Sequence, residues 1–182
     1  GIKVMISKKM IPLMQNNSAI RMMFEEGKKL AAIHGQENVF DFSLGNPSVP
    51  APEEVNQAIK DIIEEEDSLF VHGYMSNAGY EDVRETIAES LNRRFNTSFG
   101  SSNILMTVGA ASGLNVILKT LLNPGEEVIT FAPYFVEYGS YVRGYDGELV
   151  VVSPNTVDFQ PNLQEFEEKI NGKTKPLLST LQ

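Results

Sequence analysis

Residues 104–152 read ILMTVGAASGLNVILKTLLNPGEEVITFAPYFVEYGSYVRGYDGELVVV, and the fold is decided there. Three short runs rich in β-branched residues, 104–108, 127–131 and 148–152, are separated by stretches long enough for a helix, 114–122 and 134–141. Strands alternating with helices predict a mainly parallel sheet with helices on its faces and right-handed crossovers, an α/β fold. Asn123-Pro124-Gly125 is expected to turn the chain, because Pro presets φ and Gly accepts a positive one.

Downstream, Asn162 with Glu165 three residues on resembles a capping box for a last helix carrying Leu163, Phe166 and Ile170. Lys175-Pro176-Leu177-Leu178-Ser179 begins a further strand, although Pro176 cannot donate to a ladder and is awkward in a strand interior. Lys173 and Lys175 read as an exposed polar turn. So small a parallel sheet leaves an edge and a face uncovered, so more protein, in sequence or from another subunit, is expected beside it. Upstream, Ile20, Met23, Phe24, Gly27, Leu30 and Ala31 recur at helical spacing over 16–32, with Ser18 as cap. Pro47, Pro50 and Pro52 interrupt that pattern. Pro52-Glu53-Glu54 suits a helix first turn, and Val55, Ala58, Ile59, Ile62 and Ile63 give the helix an apolar side. A third helix carries Tyr80, Val83, Ile87, Leu91 and Phe95. The division expected is an arm and helix over 1–47 and an incomplete α/β domain over 48–182.

A chain of 182 residues, 42% hydrophobic and 21% charged, is of ordinary globular make-up and about one domain long. Its net charge of −9, without a Lys/Arg-rich run, opposes nucleic acid and anionic lipid as partners. With no cysteine and two histidines, neither a thiolate nucleophile nor a metal cluster is expected, and a reducing cytoplasm suits the chain. The opening residues lack the apolar core of a signal peptide, and no run approaches the length of a membrane span, so a soluble protein is expected.

Ligands of open parallel sheets gather at the carboxyl ends of the strands. Two segments are placed for this. Thr107-Val108-Gly109-Ala110-Ala111-Ser112-Gly113 leads from expected strand to helix. Its small residues allow close approach, and the free N–H groups of a first helical turn favour an anion such as phosphate. The plainer alternative is a tight turn with small residues for packing. Pro133-Tyr134-Phe135 follows the next strand, where an aromatic ring could stack on a planar heterocycle, or simply be core. Gly109 and Gly113 are four apart with no lysine after them, which excludes a P-loop, and Gly109, Ala111 and Asn115 fail the Gly-x-Gly-x-x-Gly dinucleotide pattern. The Gly109–Leu114 stretch is similar to the turn of NAD(P)-binding short-chain dehydrogenases. That family puts its turn near the N-terminus, and no tyrosine here has a lysine four residues later.

Four segments in order carry a stronger resemblance: Leu44-Gly45-Asn46-Pro47; His72-Gly73-Tyr74 through Gly79-Tyr80-Glu81-Asp82-Val83-Arg84; Val108-Gly109-Ala110-Ala111-Ser112-Gly113-Leu114; and Asn123-Pro124-Gly125-Glu126-Glu127-Val128 with Ala132-Pro133-Tyr134-Phe135. Together they resemble class I aminotransferases of the aspartate aminotransferase fold, the fold type I enzymes dependent on pyridoxal 5'-phosphate. The resemblance runs from Met10 to about Lys175. It implies that Gly109, Ala110 and Ala111 meet the cofactor phosphate, the two alanines through their backbone N–H groups, and that Phe135 stacks on the pyridine ring. It implies further that Tyr74 reaches the phosphate of a neighbouring subunit's cofactor, and that Gly45 lies at the substrate carboxylate. The substrates implied are an amino acid and a 2-oxo acid, the assembly a homodimer with 10–23 as its arm, and 48–182 part of the cofactor-binding large domain. No role falls to His72, and His34 reads as helix surface. Where the family often has a hydroxyl or lysine, this chain has Ala110 and Ala111. The family's loop at the pyridine oxygen, its aspartate at the ring nitrogen, its cofactor-holding lysine and its carboxylate-binding arginine are not matched here. The chain is therefore expected to be a truncated portion, inactive alone, with no catalytic residue of its own. A noncatalytic α/β binding module is the other reading.

Overall fold

The computed structural model describes residues 5–15, 19–42, 45, 47–158 and 160–179. They fall into two compact units, Gly1–Tyr74 and Met75–Gln182.

The first unit is helical: α1 (Met10–Gln15), α2 (Ala19–His34), α3 (Glu53–Glu65) and α4 (Ser68–Val71). Phe24, Gly27 and Ala31 form the better covered side of α2, at the expected spacing. The cap Ser18, the side chain of Ile20, and Leu44 and Asn46 lie outside the described residues. Pro52, extended at ψ 143°, sits at the cap of α3 with Glu53 and Glu54 in the first turn, one position earlier than the sequence pattern suggests. Asp67 caps α4, its carboxylate accepting from Leu69 N–H at 2.7 Å and Phe70 N–H at 3.2 Å. The apolar side of α3 is present but uncovered: Val55, Ile59, Ile62 and Ile63 are 47% to 69% exposed.

The second unit holds α5 (Glu81–Phe95), α6 (Gly109–Leu121), β1 (Glu127–Phe131), α7 (Tyr138–Gly144), β2 (Glu148–Val152), α8 (Leu163–Lys169) and β3 (Thr174–Leu178). The strands form a parallel sheet in the order β2-β1-β3. Central β1 buries Val128, Ile129 and Thr130 completely, as expected of a parallel strand covered on both faces. On one face Val128 joins Leu118 of α6 and Tyr138 and Val142 of α7, together with Leu178 of β3. Side chains alternate along a strand, so Phe131 points to the opposite face, where its ring meets Phe166 of α8 at 5.4 Å. The result is a helix, sheet, helix sandwich. Thr130, the one buried polar side chain among the described residues, donates its hydroxyl to Leu178 O at 2.8 Å.

Four further expectations change. Residues 104–108 are not a strand. Ile104 is extended at φ −110°, ψ 134°, and Met106 N–H donates to Ala78 O at 2.9 Å, but no described strand lies alongside, and β-branched residues make a strand only where a neighbour completes the ladder. The helix expected over 134–141 begins at Tyr138, because 135–138 is taken up by a turn in which Tyr138 N–H donates to Phe135 O at 3.0 Å. Lys175 is not in a polar turn but in β3, its ammonium 3.4 Å from the Glu126 carboxylate. In the capping arrangement of α8, Asn162 accepts from Glu165 N–H at 3.1 Å, but the Glu165 carboxylate returns to the Asn162 side chain at 3.2 Å rather than to its backbone. Pro176 is accommodated by a register shift in an edge strand, since Glu127 pairs with Thr174 but Ile129 with Leu177, leaving one extra residue on β3.

Candidate functional site

The turn into α6 is built from backbone geometry. Gly109 has φ +78°, a left-handed conformation that costs a side-chain-bearing residue energy, and its N–H is tied back to Thr107 O at 3.0 Å. With Val108 as cap, the i to i−4 pattern starts at residue 112, so the N–H groups of Ala110 and Ala111 have no partner inside the helix. Among the described residues none accepts from them. Both alanines are exposed, and the first turn of α6 holds no acidic residue. The neighbouring hydroxyls face carbonyls instead: Ser112 Oγ donates to Val108 O at 2.8 Å and Thr107 Oγ1 to Gly109 O at 3.1 Å. What remains is a pair of outward N–H groups at the positive end of a 13-residue helix, which suits an anion. A phosphate group fits this donor set.

Before the turn lies a hollow of about 390 Å³ walled by residues 75–77, Gly79, Tyr80, Val83 and 106–108. Arg84 fastens its rim, donating from Nε to Gly79 O at 3.1 Å and from a terminal nitrogen to Ser101 O at 2.5 Å. Gly79 is required there: its φ is +99°, and a Cβ would stand 2.5 Å from Met106 Cγ. Neither Ala110 and Ala111 nor Phe135 belongs to these walls.

Phe135 lies on the segment that leaves the carboxyl end of β1 after the cis Ala132–Pro133 bond, and it is 45% exposed. Its ring meets Tyr138 edge to face, with centroids 5.8 Å apart and planes at 83°. Tyr138 in turn packs with Leu118 in the core, against which Leu114 is also set. Leu114 is four residues, about 6 Å of helix axis, beyond Ala110. Phe135 and the α6 turn are therefore carried by the same packed cluster. Sequence reasoning does not single out Tyr138; the signal for it is the aromatic spacing of Tyr134, Tyr138, Tyr141 and Tyr145. Tyr74 closes the first unit fully exposed, and Gly45 is also exposed, with no heavy atom within 4 Å of where a Cβ would stand.

The two carboxylates with shifted acidity are parts of the scaffold. Glu126 is held below the usual range chiefly by Asn123 N–H, at 2.8 Å, with the Asn123 side chain and Lys175 adding to this and burial partly opposing it. Glu165 is lowered first by Lys169, 2.6 Å away, again against a burial effect, and further by the Ser153 hydroxyl and N–H. Through Glu165 and the Lys169 ammonium, which also donates to Val151 O, α8 is fastened to β2. No group of His, Asp or Glu residues among the described residues could hold a metal ion, and no described helix is long and apolar enough to cross a membrane.

Known proteins similar to this chain agree with one another. A family model described as aminotransferase class I and II matches residues 37–180. An aspartate aminotransferase of Thermotoga maritima is 32% identical over 157 residues, 84% of this chain and 40% of its own length. The putative aminotransferase YugH of Bacillus subtilis is 34% identical over 164 residues, 88% of this chain and 40% of its own. Among solved structures, an amino transferase from Eubacterium rectale superposes with a TM-score of 0.88 at 43% identity, covering 96% of this chain and 44% of that one. The chain thus spans about two-fifths of the length of these relatives. The short-chain dehydrogenase alternative is not favoured. Order of motifs, parallel sheet and relatives lead to one conclusion: the chain belongs to the class I and II aminotransferase family and has the α/β architecture of the N-terminal part of its fold type I structures.

Proposed function

We propose that this chain supplies the phosphate- and ring-binding part of a pyridoxal 5'-phosphate-dependent aminotransferase that moves an amino group between an amino acid and a 2-oxo acid. The observation that carries the reading is the α6 turn, where two N–H groups without partners among the described residues meet a helix dipole and no opposing acid. Gly109, Ala110 and Ala111 would hold the phosphate and Phe135 would lie against the pyridine ring. Tyr74 would reach the phosphate bound by a partner subunit in a homodimer, and Gly45 would border the substrate carboxylate. The division into an arm over 1–47 and a cofactor domain over 48–182, and a cytoplasmic location, go with this reading. When bound, the cofactor ring serves as an electron sink for the substrate's α-carbon. This chain's residues would orient it: the turn would hold one end, and Phe135, carried on the same packed cluster as α6, would set the plane.

No described lysine is assigned as its holder or as a base. Lys169 and Lys175 are ion-paired, and Lys119 is nine residues, about 13 Å, down α6 from Ala110. The chain by itself is therefore expected to bind noncovalently and not to turn over. Calorimetric titration with pyridoxamine 5'-phosphate, which has no aldehyde to react with surface lysines, tests the site. Ala110→Asp, placing a carboxylate at the phosphate, should weaken binding more than tenfold, whereas Ala110→Ser should not. Equal affinity of Ala110→Asp and the unaltered chain would rule the phosphate site out.

A further inference from the structure

Tyr138 occupies a place that the cofactor reading leaves unused. It is 7% exposed, at the start of α7, and it touches two other rings: Tyr134 nearly parallel at 6.4 Å and 13°, and Phe135 edge to face at 5.8 Å and 83°. The rest of it is set in the cluster of Leu118, Val128, Val142 and Leu178. Phe135, by contrast, is half exposed on a loop and makes no other ring contact among the described residues. A loop phenylalanine left to itself samples several orientations, and a flat ligand stacking on it must select one at an entropic cost. A buried ring gripping it edge to face removes that cost beforehand, because edge-to-face pairs have a preferred geometry.

We infer that Tyr138 is a positioning residue, fixing the plane of the Phe135 ring so that its open part is preset to receive a flat, phosphorylated heterocycle. This rests on the reading that Phe135 lies against the cofactor ring. The contact is made by the Tyr138 ring and not by its hydroxyl, so phenylalanine should replace it and an aliphatic residue should not. Tyr138 acts through Phe135, so its effect should vanish once Phe135 is gone.

The test uses the full chain and pyridoxamine 5'-phosphate, read by proton NMR and calorimetry. An aromatic face against the pyridine moves the ligand's ring-proton resonance upfield, which a purely structural role for Tyr138 would not control. The unaltered chain should give that upfield shift, and Phe135→Leu should abolish it. Tyr138→Leu should at least halve the shift and weaken binding about two- to tenfold, the size of an edge-to-face pair, while Tyr138→Phe restores both. The double variant Phe135→Leu/Tyr138→Leu should bind no worse than Phe135→Leu alone. Circular dichroism verifies folding of each variant, and Tyr138→Met, which keeps the core filled without a ring, replaces Tyr138→Leu if the latter unfolds. A normal shift in the ring-deleted variant, a Tyr138→Phe as impaired as Tyr138→Leu, or additive losses in the double variant would overturn the inference while leaving the stacking role of Phe135 intact. No upfield shift with the unaltered chain, or one indifferent to Phe135→Leu, would overturn the cofactor reading and this inference with it.

Discussion

Replacing Gly109 with alanine separates backbone conformation from crowding. Its φ is +78°, and a Cβ there would meet no heavy atom within 4 Å, so the substitution costs conformational energy alone. A side-chain-bearing residue in the left-handed region is disfavoured by about 1–2 kcal/mol, and alanine regains about 0.4–1 kcal/mol by restricting the unfolded chain. The expected net loss is about 1 kcal/mol. With a urea dependence of about 2 kcal/mol per molar, the unfolding midpoint should fall by about 0.5 M. Gly125 is the control: its φ is +80°, its Cβ position is equally open, and it lies in the turn before β1, away from the α6 turn. Gly125→Ala should lower the midpoint similarly. Only Gly109→Ala should also weaken pyridoxamine 5'-phosphate binding, because relaxing φ there swings the Ala110 and Ala111 N–H groups. Urea titrations followed by circular dichroism, with calorimetry on the same samples, give both numbers. A Gly109→Ala chain as stable as the parent, or a Gly125→Ala chain equally impaired in binding, would refute the assignment of that φ to the site.

Two further outcomes concern the scaffold. Glu165 and Glu126 have their pKa lowered in the folded chain, so their stabilising effect is complete above the unfolded carboxylate value of about 4.3 and is lost as pH falls through the lower folded values. Glu165→Gln should therefore flatten the decline of thermal stability below pH 4.5 while changing its shape little above pH 6, and an unchanged acid profile would count against the Lys169 and Ser153 interactions. Thr130→Val removes the buried hydroxyl donated to Leu178 O while keeping side-chain volume, and should cost about 1 kcal/mol in urea unfolding; a neutral result would mean that this bond adds nothing between β1 and β3.

Much of the second unit was legible because its signals are local. The runs 127–131 and 148–152 are β-branched and flanked by turn residues, and both fold as strands over the limits read from the sequence. Asn162 caps through Glu165 N–H and Asn123-Pro124-Gly125 closes its turn through Glu126 N–H to Asn123 O, each a bond spanning three residues, and both behave as read, apart from the side-chain return bond of Glu165. The run 104–108 looks the same by composition and is no strand, because a strand is a property of two segments and its neighbour is not encoded within it. The late start of α7 escaped for a related reason: the turn at 135–138 competes with the first helical turn, and periodicity does not rank the two.

By itself the sequence determined the alternation of helix and strand, the small-residue turn at Gly109 to Ala111 that opens a helix, and the family, since each depends on residues near in the chain or on their order. Only the tertiary structure decided the strand order β2-β1-β3, the bulge that admits Pro176, the partnering of Lys175 with Glu126, and the ring of Tyr138 set against Phe135. The first two are pairing choices between strands far apart in sequence, and the ion pair joins residues 49 positions apart. Tyr138 and Phe135 are near neighbours, but which of the two rings is buried depends on what α6 and β1 place around them.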